Sequence, residues 1–234
     1  MSRNMFSRVT VPATKALAGI LVAMLVGAPA VAGDKLPEVD SDGLHLAKNS
    51  KVRIAYVKPG ATFAEYRRVM LLDCYVDFVE DWQRDYNMSQ LGLSGRVSDK
   101  DAERIKKDLA AEFRKVFTDE LTKKGYPVVE EPAPDVLLLR PALLNVDVTA
   151  PDILSASRTR TFVESAGAMT LYMELYDATT ETLLARVIDP QADDPAWAQR
   201  ADRVTNKAAA DRILRDWAEV LTKRLGEVSE AASK

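Results

Sequence analysis

The stretch MTLYMELYDATTETLLARVI, residues 169–188, decides the fold. In its first half Met169, Leu171, Met173 and Leu175 alternate with Thr170, Tyr172, Glu174 and Tyr176. That two-residue period belongs to a strand with one buried and one outward face. Asp177 to Glu181 supplies turn residues and Leu183 to Ile188 a second apolar run, so the stretch predicts a β-hairpin. The apolar face of such a sheet has to be covered by another layer.

Two stretches supply that layer. After Ser98, an N-cap residue, and Asp99 and Asp101, which suit the positive end of a helix, come Ala102, Ile105, Leu109, Phe113, Val116, Phe117 and Leu121. Their spacing of three and four predicts an amphipathic helix ended by Gly125. A second helix is expected from about Asn206 to Leu225, with Ala210, Ile213, Leu214, Trp217, Val220 and Leu221 on one face.

Further strands are expected at Val52 to Val57, closed by Lys58-Pro59-Gly60, at Tyr126 to Val129, and at Val136 to Val148. Pro141 lacks a ladder donor and should lie at an edge or bulge. From Val69 to Val79, Met70, Leu72, Cys74, Val76 and Phe78 predict one continuous strand with those side chains inward. Residues 80–97, rich in Asp, Gln, Asn, Gly and Ser, predict a long loop holding Trp82 and Tyr86. The expected fold is α+β, a mainly antiparallel sheet of about five or six strands with two amphipathic helices packed on it.

The N-terminus carries Arg3, Arg8 and Lys15 without an acid, then an apolar run from Ala16 to Val26, then small residues ending Ala30-Val31-Ala32. This is the order of a secretory signal peptide, and its core is shorter than the roughly 20 residues of a membrane span. Cleavage is expected between Ala32 and Gly33, with residues 33–51 a flexible leader, 52–226 one domain and 227–234 a polar tail. The destination is the periplasm, with no transmembrane span in the mature form. The only cysteine is Cys74, so neither an internal disulfide nor acylation at the mature N-terminus is expected.

The chain of 234 residues has 32 basic and 35 acidic side chains; the signal takes three basic ones and no acid, leaving a mature net charge of −6. An acidic chain without a long basic cluster argues against nucleic acid as a partner. The single histidine, His45, falls in the expected leader, away from any nucleophile it would have to activate. One His and one Cys are too few for an ordinary transition-metal site, and no cofactor is expected. Cys74, on an apolar strand, reads as a packing group. Asp73, Asp77, Glu80 and Asp81 near one strand end read either as a solvated face or as an all-carboxylate site. Gly92 and Gly95 ahead of Ser98 match neither phosphate-binding glycine pattern and read as a loop with a cap.

Tyr172, Glu174 and Tyr176 form the candidate binding surface. Tyrosines on a sheet offer large area at little entropic cost, and the competing readings are a solvated face or cover by the leader. Trp82 and Trp197 stand open between patch members and lids on the core.

Several stretches in order carry a resemblance. They are Tyr56-Val57-Lys58-Pro59-Gly60 continuing to Tyr66-Arg67-Arg68-Val69-Met70, Asp135 to Val146, Leu175-Tyr176-Asp177, Thr182-Leu183-Leu184-Ala185-Arg186, and Trp217-Ala218. Together they resemble the bacterial family catalogued as domain of unknown function 3313, over most of the mature chain. The resemblance implies an envelope protein with no assigned activity and supplies no catalytic residues. Members are often lipoproteins, a pattern from which this chain departs by lacking a cysteine after the signal. The expectation is a non-catalytic periplasmic binding or accessory module for an envelope protein or cell-wall component. The alternatives are a carboxylate-dependent hydrolase, which needs two carboxyls converging in a cleft, and a carrier of an apolar ligand, which needs an internal cavity.

Overall fold

The computed structural model describes residues 35–90, 95–148, 161–162, 167–192, 200–201 and 203–232. Every described element lies in the compact unit Pro37–Lys234. In chain order these are β1 (His45–Leu46), β2 (Ile54–Val57), β3 (Arg68–Leu71), β4 (Tyr75–Phe78), α1 (Trp82–Ser89), α2 (Asp99–Lys123), β5 (Val136–Val148), β6 (Thr161–Phe162), β7 (Gly167–Asp177), β8 (Leu183–Ala192), β9 (Arg200–Ala201) and α3 (Arg203–Ala232). The signal segment with its Ala32–Gly33 junction, Gly92 and Trp197 lie outside the described residues.

The hairpin forms as its alternation requires. β7 and β8 pair antiparallel, with Asp177 Oδ1 gathering the backbone N–H groups of Thr179 and Thr180 and both their hydroxyls at 2.7–3.0 Å to hold the turn. The main sheet has seven strands in the order β1-β2-β8-β7-β5-β3, with β4 following β3 alongside β5. β6 and β9 pair separately.

The sheet is mostly antiparallel, as expected, with two parallel pairings at one side: β3 and β4 run parallel to β5. The reason lies in the connection. Between β4 and β5 the chain makes α1 and α2, and a helical crossover of that length returns the next strand parallel, where a short turn would reverse it.

The expected continuous strand 69–79 is two strands whose inward faces are out of step. Val69 and Leu71 point into the core, Leu72 is exposed, and the inward phase resumes at Cys74 and Val76. β3 ends opposite Leu139 and β4 begins opposite Ala142. Pro141 lies between these positions. Leu72 N–H donates to Leu139 O, so by strand alternation the donor missing at Pro141 faces the same side, into the gap between β3 and β4. Of the expected strand 126–129 only a bridge between Val128 and Val69 is formed.

Among the described residues there are three helices where two were expected, because α1 occupies part of the expected loop. Its N-cap, Asp81, sits at φ 59° and its side chain makes no cap hydrogen bond, so local capping does little to hold the start. Tertiary contacts hold it instead. Trp82 is buried against Phe78, rings stacked at 4.1 Å, and donates to Val148 O, while the Asn87 amide exchanges two hydrogen bonds with the Val97 backbone at 2.7 and 2.9 Å.

Residues 37–47, read as part of a flexible leader, fold onto the sheet. Leu44 is buried, His45–Leu46 pair with β2, and Tyr56 donates its hydroxyl to Pro37 O at 3.0 Å. Two of its acids, Asp40 and Asp42, bond to Arg186 of the sheet, a use that composition does not distinguish from solvation. At the other end α3 runs to Ala232, through most of the expected tail.

α2 and α3 cover the face of the sheet that carries Met169, Leu171, Met173 and Leu175. The interior is filled by Phe113, Phe117, Leu121, Leu137, Leu139, Leu143 and Leu214, all without solvent exposure. One buried carboxylate ties the layers together: Asp189 on β8 accepts from Trp217 Nε1 of α3 at 2.7 Å and from Arg53 N–H at 2.6 Å.

Candidate functional site

The outward face of the sheet centres on Glu174. Pairing places Arg186 of β8 on one side of it and Arg140 of β5 on the other. Oε1 of Glu174 accepts the Tyr172 hydroxyl at 2.7 Å and Arg186 Nη2 at 3.0 Å. Oε2 accepts the Tyr176 hydroxyl at 2.7 Å, with Arg140 Nη1 at 3.7 Å. Arg186 also donates to Asp40 and Asp42, at 2.7 and 2.6 Å, and stands over the Tyr172 ring. The turn 40–43 presents these two acids, since Asp40 Oδ1 accepts the N–H groups of Asp42 and Leu44 and Gly43 takes φ 78°.

Tyr172, Glu174 and Tyr176 are therefore brought together, with their polar atoms turned to one another and to Arg186. Glu174 is only 8% exposed. Burial acts to raise its pKa, but hydrogen bonds from Tyr172, Tyr176 and Arg186 outweigh burial and hold the carboxyl below its usual range. Burial, and then the bond to Glu174, pushes both phenols up. Burial alone would lower the Arg186 pKa, yet its bonds to Asp42 and Glu174 raise it. At neutral pH the carboxylate is ionised and the phenols are protonated, so neither is poised to exchange a proton with a substrate. What the arrangement does is clamp residues 37–47 to the sheet.

Four partners of this network, Arg140, Arg186, Asp40 and Asp42, were not among the sequence candidates. A signal for Arg186 existed: in a hairpin turning at 177–182, Glu174 and Arg186 fall on facing strands. Nothing local pointed to the two aspartates, which lie 146 and 144 residues from Arg186.

The carboxylates at the other side of the sheet follow the edge formed by β4. Asp73 pairs with Arg114 at 3.2 Å, Asp77 with Lys106 at 2.9 Å and Asp81 with Arg84 at 2.9 Å. Asp77, Glu80, Asp81 and Asp99, with Arg84 and Asn87, line an open hollow of about 550 Å³ at the β4–α1 junction. Glu80, Asp81 and Asp99 are exposed there and Asp77 is half-buried. Among the described residues no three His, Cys, Asp or Glu side chains group as metal ligands.

The helix start beyond Gly95 binds its own acids: Ser98 and Asp101 form a reciprocal capping box. His45 lies on β1 and Cys74 next to β4, at opposite edges of the sheet, so five strand spacings of about 4.8 Å, roughly 24 Å, separate them. Burial pushes the Cys74 thiol up to about 12, leaving almost no thiolate at pH 8. Alkylation by iodoacetamide at pH 8 should be at least roughly a hundredfold slower for native protein than in urea. Equal rates would show the thiol to be open.

A family model described as protein of unknown function (DUF3313) matches residues 40–221. The chain belongs to this family. The match takes in the Asp40–Asp42 turn as well as the sheet and α2, so the DUF3313 region begins within the clamped segment rather than at β2. None of the curated proteins matches the chain in sequence. Among solved structures, this DUF3313 chain is similar to the PelC dodecamer from Paraburkholderia phytofirmans, at 12% identity and TM-score 0.38, covering 72% of this chain and 94% of that one. It is also similar to a neuraminyllactose-binding hemagglutinin homolog from Helicobacter pylori, at 14% identity and TM-score 0.41, covering 74% and 92% of the two chains.

Proposed function

We propose that this chain is an exported, unlipidated module of the bacterial envelope that works by binding another envelope protein or a cell-wall component, without chemistry of its own. The observation that carries the reading is where its apolar surface lies. Among the described residues of the folded unit, four of the five exposed large apolar side chains, Leu72, Tyr75, Val79 and Met88, fall within β4 and its flanks or on α1. Scattered exposed apolar residues are ordinary, whereas several along one edge mark a contact surface. The rest of the molecule supports this: the outward tyrosines are tied into the Glu174 network and burial shuts the Cys74 thiol. No described helix is long and apolar enough to cross a membrane.

The test is photocrosslinking in intact cells from a photoreactive residue placed at Tyr75, with Lys107 on the exposed face of α2 as control. A discrete product from position 75 alone is expected. Products that are absent, or the same from both positions, would remove the β4 edge as the surface. N-terminal sequencing of the protein recovered from the periplasm should begin at Gly33, and a start at Met1 would overturn the export step.

A further inference from the structure

We infer that the edge Leu72–Val79 receives an extended peptide segment of the partner, carrying Lys or Arg at alternate positions around an apolar side chain, which adds as a strand beside β4. The inference rests on the binding-module reading above and supplies the chemistry of what is bound. β4 pairs with β5 on one side, and among the described residues no strand pairs with it on the other.

The backbone there is open at one place. Val79 N–H donates to Val146 O on β5, so by alternation residues 75, 77 and 79 turn their peptide groups toward β5 and Val76 and Phe78 turn theirs outward. The ends of this edge are covered locally: Leu71 O accepts Arg114 Nη2 at 3.0 Å and Phe78 N–H is met by Asp77 Oδ1 at 3.1 Å. The Val76 peptide between them is left for an incoming chain. Strand addition draws affinity from such main-chain groups and specificity from alternate side chains.

Those side chains say which segment fits. Cys74 and Val76 point inward, so Asp73, Tyr75 and Asp77 share the solvent face, an aromatic between two acids at two-residue spacing. Asp73 is 98% exposed at its side chain. The existing pairs to Arg114 and Lys106 are solvated and weak, leaving carboxylate oxygens for a further donor. Beyond Asp77 the hollow continues the negative strip with Glu80, Asp81 and Asp99 beside Arg84, and among the described residues neither Glu80 nor Asp99 has a salt-bridge partner. Opposite charges facing across a strand pair stabilise it and like charges oppose it. A second copy of this edge, laid antiparallel about Tyr75, would set Asp73 against Asp77. A basic segment meets both favourably.

The probes are two capped eight-residue peptides, one alternating Lys with Val and one alternating Glu with Val, titrated into the purified protein by calorimetry. The Lys–Val peptide should bind roughly tenfold or more tightly than the Glu–Val peptide. Asp73→Lys with Glu80→Lys should reverse that preference, and amide exchange at Val76 should slow in the Lys–Val complex while α2 is unaffected. Equal binding of the two peptides, a preference that survives the double substitution, or binding without slowed exchange at Val76 would each overturn the inference. Should the reversed-charge variant not fold, Asp73→Asn with Glu80→Gln serves, and has to abolish the preference. If Tyr75 crosslinks in cells while the Lys–Val peptide fails to bind, this inference falls and the binding-module reading stands. If Tyr75 captures nothing, that reading falls whatever the peptides do.

Discussion

Arg186→Met should destabilise the protein by about 3 kcal/mol at pH 7, near the lower end for breaking a buried ion pair. Arg186 is shared by Asp40, Asp42 and Glu174, and the side chains of Asp40 and Glu174 are each only 10% exposed. Removing the cation leaves both carboxylates in a place with little water. The loss stays at the lower end because the Tyr172 and Tyr176 hydroxyls still donate to Glu174 and Arg140 remains 3.7 Å away. Methionine keeps the length of the apolar stem, so the change isolates the charge. In a domain of this size the midpoint of thermal unfolding should fall by roughly 6–12 °C.

The pH dependence separates this account from a simple packing defect. In the wild type the Glu174 pKa is lowered on folding, so its contribution is complete above the unfolded value of about 4.3 and is lost as pH falls through the folded value. In the variant the same carboxyl, buried without its cation, has its folded pKa moved the other way. It then costs stability at neutral pH and is relieved as it takes up a proton. The difference between the two proteins should therefore shrink from pH 7 to pH 4, measured by urea unfolding at each pH. A gap that stays constant would mean that the guanidinium acts by packing alone.

The same network marks where sequence reading ended. The alternation of 169–176 placed Tyr172, Glu174 and Tyr176 together on the outward face, because period two depends on nothing beyond the strand itself. Whether that face meets water depends on a segment more than a hundred residues away. Asp40 and Asp42 sit among Pro, Gly and Ser, a composition shared by disordered leaders and by folded turns, and no local pattern tells the two apart. A double Tyr172→Ala, Tyr176→Ala change would do more than alter a surface, since it removes two donors from a buried carboxylate.

At β4 the failure was of a different kind. The alternation read from Met70 to Phe78 is present in the residues, yet a break at Leu72–Asp73 inverts its first half. Since a shift of one residue exchanges the two faces of a strand, Val69 and Leu71 fill the core while Leu72 is exposed. The candidate binding edge exists because of that inversion, and so it was legible only once β3 and β4 were seen to pair separately with β5.

Phe113→Ala should cost about 3–5 kcal/mol, as large aromatic truncations in packed cores do. The stripe Ala102 to Leu121 was legible as a helix face, but periodicity reports direction and not depth. The structure grades it. Phe113 and Phe117, four residues apart, have no solvent exposure and stack with ring centroids 4.0 Å apart at 16°. They share one buried cluster with Leu137, Leu139 and Leu143 of the sheet and Leu214 of α3, so their surroundings are anchored in separate elements and have little room to collapse. The lost ring contact adds to the transfer cost. Ile105, one end of the same stripe, is only partly buried in the smaller cluster with Trp82, and Ile105→Ala should cost less than half as much. Equilibrium urea unfolding with unchanged slope checks both. A Phe113→Ala loss under about 1 kcal/mol would mean that α2 can settle into the space, and hence that the contact of α2 with the sheet is looser than the exposures of these side chains imply.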